Sequence, residues 1–390
     1  IIRPTMDTLL PLRGVRVVEF CSTASGPFST MLLSDMGAEV VKIEPPAGDG
    51  LRQWPPLNQG YSENFASLNR NKRSAVLNLK DPQDVALARR LILEADVLVE
   101  NNRPGVMDRL GLGYAALSAE KPGLLFCSIS AYGQSGPRSS EGGFDLTIQA
   151  AAGVMSVTGE PSGAPVKCGV PLSDFASGLY AAFSIAAMLV HVRSGGRGAH
   201  IDIPMFGCTL GIAALQTSEY FGNGRSPVKL GSAHPRNAPY QAFQAQDGYF
   251  AIAAGNHKLW LDVLRVVDLP ALAEDPRFIS TTDRAHNQEA LKQLLEAVFT
   301  RQPVAHWIAA FNDAGVPHAR INDYAAALSD PQTAHMGWVQ PLELPGGQLT
   351  RTFGSPVRLN GKGFPIRRSP PALGQHSDEI RAEYAQKEVS

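Results

Sequence analysis

The run Val15-Arg16-Val17-Val18-Glu19-Phe20 is short and β-rich, and Ser22-Thr23-Ala24-Ser25-Gly26-Pro27 breaks it. Helical periodicity follows from Phe28 to Met36 and stops at Gly37, and Glu39-Val40-Val41-Lys42-Ile43-Glu44 reads as a second strand ended by Pro45-Pro46. The pattern continues with a strand at Ser74–Leu79, a helix from Pro82 to Ala95 capped by Asp81, and apolar strands at Val97–Glu100 and Leu124–Ile129. Short apolar strands alternating with helices predict an α/β fold built on an open, mainly parallel sheet with helices on both faces. The turn after the first strand has one glycine and a proline. Neither a dinucleotide glycine fingerprint nor a Walker loop is therefore present, although the turn lies where open α/β sheets bind ligands.

The chain has 390 residues, enough for more than one core. Lys plus Arg total 35 against 36 Asp plus Glu, which offers no electrostatic basis for binding nucleic acid or a membrane surface. Cys21, Cys127, Cys168 and Cys208 are far apart and lack paired spacing, so reduced thiols in a cytoplasmic protein are expected and a zinc or other metal site is not. The N-terminal residues show no secretory signal pattern. A Gly-, Ser- and Pro-rich stretch near 221–229 reads as a linker, and Ala242–Ile252 as a hairpin turning at Asp247-Gly248. The expected domains are 1–220, a small α+β domain at 230–325, and a segment at 326–390 that returns to the large domain.

Asp174 stands out. It precedes Phe175–Val192, a run without Asp, Glu, Lys or Arg, whose apolar character predicts a core helix packed on all sides rather than a membrane span. A lone carboxylate at the mouth of such a helix is a candidate reactive group. The same position also suits an N-cap, with Ser173 or Asp174 accepting from first-turn amides.

Collinear segments decide between those readings. They include Leu12–Phe20, Gly37–Glu44, Asn69-Arg70-Asn71-Lys72-Arg73-Ser74, Val99-Glu100-Asn101-Asn102-Arg103-Pro104-Gly105, Leu110–Tyr114 and Tyr132–Pro137. Gln149–Gly153, Asp174–Gly178, Pro239–Phe243, Gly315–Pro317 and Pro370–His376 complete the series. Over nearly the whole length the chain resembles the class III coenzyme A-transferases. The resemblance implies a Rossmann-like large domain, an interlocked homodimer, and acyl-CoA and small carboxylic acids as substrates, with CoA as substrate and no separate cofactor. It places Asp174 on the catalytic aspartate, which would form an aspartyl anhydride and then an aspartyl-CoA thioester. Asn101 and Arg109 fall on CoA-contacting positions, and Lys72, Arg73 and Arg103 are further cations suited to its phosphates. The adenine end must be held differently from formyl-CoA transferases, which carry Gln and Arg at the positions of Ala24 and Pro45.

Ala253-Ala254-Gly255-Asn256-His257 replaces the glycine run of formyl-CoA transferases, and with Gly169–Asp174 it looks more like the succinyl-CoA:dicarboxylate branch, with glutarate, itaconate or mesaconate as acceptor. A formyl-CoA or acetyl-CoA:oxalate-type transferase is the alternative. His234, Arg236, Asn256 and His257 are candidates for a distal carboxylate, or equally loop residues. The α-methylacyl-CoA racemases are a second alternative, but their His-Asp pair here reads Phe144-Asp145. A phenyl ring cannot move a proton, so exchange at the α-carbon lacks a base, and Asp145 reads as a supporting group.

Overall fold

The computed structural model describes residues 9–385, which divide into two units. The first comprises residues up to Val154, Lys167–Gly224 and Pro331 onward; the second comprises Met155–Val166 and Arg225–Asp330.

Six strands form the sheet of the first unit: β1 (Arg16–Phe20), β2 (Glu39–Glu44), β3 (Lys72–Val76), β4 (Val97–Glu100), β5 (Leu125–Ser130) and β6 (His200–Pro204). Their order is β3-β2-β1-β4-β5-β6 and every pairing is parallel, with Val17 opposite both Val40 and Val97. This is the doubly wound arrangement, and its order reverses between β1 and β4, which opens a crevice at their carboxyl ends. Alternation divides the side chains between two cores. Val17, Val97 and Val99 join Leu33, Ile185 and Leu189 on one face. Val18 and Leu98 join Leu87, Leu91 and Ile380 on the other.

Helix α1 (Ser25–Asp35) and helix α4 (Leu172–Arg193) cover the first face. Helix α2 (Pro82–Glu94) covers the second and starts as expected, with Asp81 accepting from Gln83 N at 2.9 Å and proline in the first turn. The short α3 (Asp145–Ala151) and then α5 (Met205–Ile212) and α6 (Ala214–Asn223) complete the helices that bear on the site. The C-terminal segment returns to the β3 edge. Asn71 Oδ1 accepts from Arg367 N and Arg368 N, His376 Nδ1 accepts from Ser74 N, and Ile380 enters the second core.

Three expectations change. Strand β3 begins at Lys72 rather than Ser74, because pairing with β2 starts at Val40 and the Lys72 side chain turns inward. Met155–Val166 belongs to the second unit rather than to an unbroken 1–220 domain: Gly231 N donates to Gly159 O at 3.0 Å and Lys229 Nζ to Gly163 O at 2.8 Å, both within that unit. Helix α4 is not covered all round. Ala176, Ser177, Gly178, Ala181 and Ile185 are buried, whereas Leu179, Phe183 and Val190 are exposed. Small residues let the inner face approach its neighbours closely; a methyl at Gly178 would stand 2.8 Å from Ser25 O and from the Phe28 ring.

The second unit holds an antiparallel sheet of Tyr240–Gln244, Tyr249–Ala253 and His318–Arg320. Helices His257–Val267, Gln288–Phe299 and Val304–Ala314 pack on it around Phe243, Phe250, Trp260, Phe299 and Trp307.

Beneath the β1–α1 turn lies a buried charge cluster. Glu19 faces Lys42 and Lys72 at 2.9 Å each, Lys42 also meets Asp49 at 3.0 Å, and all four side chains are essentially inaccessible. Burial alone would raise the Glu19 pKa, but the two ammoniums and the Thr30 hydroxyl reverse that and bring it down to about 2. Removing one member strands buried charge, so Glu19→Gln is expected to cost about 3 kcal/mol at neutral pH, measured by urea unfolding. The Glu19 pKa is depressed in the fold, so its contribution is present above the unfolded value of 4.5 and lost as pH falls toward about 2. The gap between the two proteins should narrow across that window.

Candidate active site

The crevice at the strand reversal holds a cavity of about 250 Å³. Ser22–Ser25 after β1, Asn101–Pro104 after β4 and Ile129–Ala131 at the end of β5 form its floor, with Glu141–Phe144, Met205 and Asp174 around them. All of these residues belong to the first unit.

The turn after β1 is held by the charges below it. Lys42 Nζ donates to Cys21 O at 2.7 Å and Lys72 Nζ to Pro27 O at 2.9 Å, one at each end of the turn. Between them Thr23 takes a φ of 66°, unfavourable for a β-branched residue, and its N–H donates to Asp49 Oδ1 at 3.1 Å. Asn101 closes the other side, accepting from Ser22 N at 3.0 Å and donating to Ser22 O at 2.9 Å.

Asp174 occupies the first turn of α4 and does not cap it: Pro171 is the cap residue and no side chain bonds there. The capping role falls to Asp145 from another helix. Its Oδ1 accepts from Ser173 N at 2.9 Å, and its Oδ2 accepts from Gln149 Nε2 at 2.7 Å. Gln149, fully buried, accepts in turn from Cys168 N at 2.9 Å, tying the approach to α4 to the same point. Beneath, Ser177 donates to Ser173 O at 2.6 Å and Thr209 to Ser173 Oγ at 2.9 Å. The base of Asp174 is thus fixed by hydrogen bonds that leave its own carboxylate uncommitted. Burial, with a further push from the Asp145 charge, raises the Asp174 pKa from the ordinary 3.8 to about 7. The helix N-terminus opposes this by roughly 0.3–1 kcal/mol, less than the approximately 1.4 kcal/mol per pKa unit that the rise represents.

The other expected residues separate. Asn101, Arg103 and Asp145 gather at or beside the cavity. Arg109 ends the short Val106–Arg109 helix after β4 and is exposed. Lys72 is not available to a phosphate, since it is buried and bonded to Glu19, Pro27 O and Asn69. Arg73 is held by Glu379 and Glu383 at 2.9 and 2.7 Å. His234, Arg236, Asn256 and His257 lie in the second unit. His234 Nδ1 accepts from Arg236 N and Asn237 N, and Asn256 caps the His257–Val267 helix through Leu259 N, so both serve their own loops. Gln149 and the Glu141-Gly142 pair had no assigned role; the Asp145–Gln149 spacing of four residues on a helix was the available signal.

Asp174 carries a folded-state pKa of about 7 against 3.8 when unfolded, so between those values the fold retains a proton that the unfolded chain has lost. Stability therefore falls as pH rises through that window. Asp174→Asn is expected to unfold at higher temperature than the native chain at pH 8 and at the same temperature near pH 4. The gain is on the order of 2 kcal/mol, discounted for the water that reaches the carboxyl, and thermal denaturation at the two pH values measures it.

Residues 12–377 match the sequence profile of CoA-transferase family III. The chain is 40% identical to an acetyl-CoA:oxalate CoA-transferase of Acetobacter aceti, covering 97% of each protein. It is 36% identical to the human succinyl-CoA:glutarate CoA-transferase, covering 97% of this chain and 87% of that one. In structure it resembles a CAIB/BAIF family protein from Brucella suis, with a TM-score of 0.85 at 36% identity over 96% of this chain and 99% of that chain. With a profile match across the sheet, the Asp174 helix and the returning C-terminal segment, the chain belongs to CoA-transferase family III.

Proposed function

We propose that this enzyme moves CoA from an acyl-CoA, succinyl-CoA by preference, to a small dicarboxylic acid such as glutarate, itaconate or mesaconate, with Asp174 as nucleophile. One observation carries the reading: an uncommitted carboxylate, its basicity raised by burial and by Asp145, faces a cavity at the strand reversal of the sheet. Greater basicity makes a better nucleophile provided that the group is ionised, and a pKa of about 7 satisfies both needs near neutrality. The oxalate transferase relative supports oxalate as the alternative acceptor, which is also a dicarboxylate.

The steps need no added reagent. An Asp174 oxygen attacks the thioester carbonyl, the C–S bond breaks, and CoA leaves as thiolate from a mixed anhydride. The thiolate attacks the aspartyl carbonyl, the anhydride C–O bond breaks, and the donor acid departs as carboxylate, leaving an aspartyl-CoA thioester. The acceptor carboxylate attacks that thioester and displaces the thiolate. Attack by the thiolate on the acceptor's acyl carbon then yields the new acyl-CoA and restores Asp174. Phe144, exposed at the cavity, supplies no second base, which disfavours racemisation.

Asn101 and the exposed Arg109 are the residues proposed to meet CoA, the guanidinium suiting phosphate. The reading includes an interlocked homodimer, supported by the apolar surface of Leu179, Phe183 and Val190 on α4 and Leu215 and Phe221 on α6, which a single chain leaves exposed. Four free cysteines suit a reducing, cytoplasmic setting.

Mixing the protein with succinyl-CoA and a panel of acids, with mass spectrometry of the products, should show a new acyl-CoA only when an acceptor is present. Asp174→Ala should lose the exchange; exchange retained by that variant would refute the mechanism. In the native protein kcat/KM should fall about tenfold per pH unit below pH 7 and level off above it, as the carboxylate is first protonated and then fully ionised.

A further inference from the structure

Two glutamates lie buried near the carboxyl ends of neighbouring strands, Glu19 on β1 and Glu100 on β4. Lys42 and Lys72 hold Glu19. Glu100 is only 3% exposed, yet among the described residues it has no ion pair. Its Oε2 instead accepts from Asn102 N at 2.8 Å, and Ser128 stands opposite it in the β4–β5 register. Ser128 Oγ lies 2.9 Å from Nε2 of the exposed His200 on β6, whose ring stacks on Tyr114. Burial raises the Glu100 pKa, the Ser128 hydroxyl and the Asn102 amide offset part of that rise, and Asp108 adds to it. Cys21 and Cys127 are the titratable groups that face it from the end of β1 and from β5. A buried carboxyl without a cation works against stability, so its presence calls for another explanation. The Asn102 bond supplies one. It fixes the turn at the end of β4, and within that turn Asn101 bonds both Ser22 N and Ser22 O across the strand reversal.

We propose that Glu100 is a positioning residue of the crevice: by holding Asn102 N it sets how the chain leaves β4, places Asn101 against Ser22, and so fixes the spacing of the two loops that line the cavity. Glu100 does not itself line that cavity, whereas Asn101–Pro104 and Ser22–Ser25 do. Its action is therefore indirect, through the backbone two residues on. A carboxylate suits the task because a hydrogen bond to an ionised acceptor is roughly twice as strong as a neutral one. The consequence for ligands rests on the transferase reading above. A loop ordered before CoA arrives does not have to be ordered by it, and affinity gains by that amount.

The test measures amide hydrogen exchange and CoA binding by calorimetry in the whole protein and in Glu100→Leu and Glu100→Gln. Exchange at Asn102 should quicken about 10–100-fold in Glu100→Leu, the worth of a hydrogen bond to a charged group. Glu100→Gln keeps an acceptor without the charge and should fall between that variant and the native protein, while amides of β1 and β5 keep their native rates. CoA affinity should fall in the same order, by about tenfold in Glu100→Leu, the lower end of that range. Glu100→Gln should also melt at a higher temperature than the native protein at pH 8, because it removes an unpaired buried charge. Should Glu100→Leu fail to fold, Glu100→Asp, which keeps the charge but withdraws it from Asn102 N, carries the same expectation. Equal exchange at Asn102 in all the proteins overturns the proposal. So does faster exchange throughout the sheet with a lower melting temperature, which marks Glu100 as structural. Faster exchange at Asn102 with unchanged CoA affinity overturns its role at the site. A native protein that does not bind CoA refutes the transferase reading instead, and the order of exchange rates then decides the positioning role alone.

Discussion

Glu19 between Lys42 and Lys72 is the interaction on which the site depends. The two ammoniums neutralise a fully buried carboxylate, and each spends a further hydrogen on a carbonyl of the β1–α1 turn. Many open α/β sheets shape this turn with glycines, whose backbone freedom allows close approach to a ligand. Here Thr23 holds the left-handed conformation, and bonds from below stabilise it. Burying so much charge is a weak route to stability, since desolvation cancels much of the attraction. What it provides is position: Ser22 to Ser25 line the cavity, and Asn101 ties Ser22 across the strand reversal.

A second constraint acts on Asp174. A carboxylate at a helix N-terminus would ordinarily be comfortable as an anion and would accept first-turn amides. In this protein Asp145 takes the Ser173 amide, so Asp174 is left without that partner and next to a like charge. Gln149 keeps Asp145 in place and secures the Cys168 backbone on the way into the helix. The Asp174 carboxylate is thereby destabilised while its surroundings are over-determined. Ser177, Gly178 and Ala181 are small because the inner face of α4 must lie close to α1 and the sheet.

Much of the fold was legible locally. The short apolar runs Val15–Phe20 and Val97–Glu100 predict strands of a parallel sheet buried on both faces, and Asp81 before Pro82 marks the start of α2. Asp174 could be singled out because an uncharged helix follows it, and Asn101 because the resemblance to the class III coenzyme A-transferases implies a CoA-contacting position there. Lys72 and Arg103 show where such reading stops. Both are cations beside a strand end, yet one is sealed under the sheet with Glu19 and the other lies open in the cavity on Gly142.

Sequence by itself determined the alternation of strands and helices and the family to which the chain belongs, and it singled out Asp174 as a candidate, because periodicity and motif spacing are carried by near neighbours along the chain. Tertiary structure alone decided which charges are buried, that Asp145 rather than Asp174 caps the helix, and that Asp174 titrates near neutrality. Desolvation and pairing are set by groups dozens of residues apart, as Glu19 is from Lys72 and Asp145 from Ser173, and those distances exist only once the chain has folded.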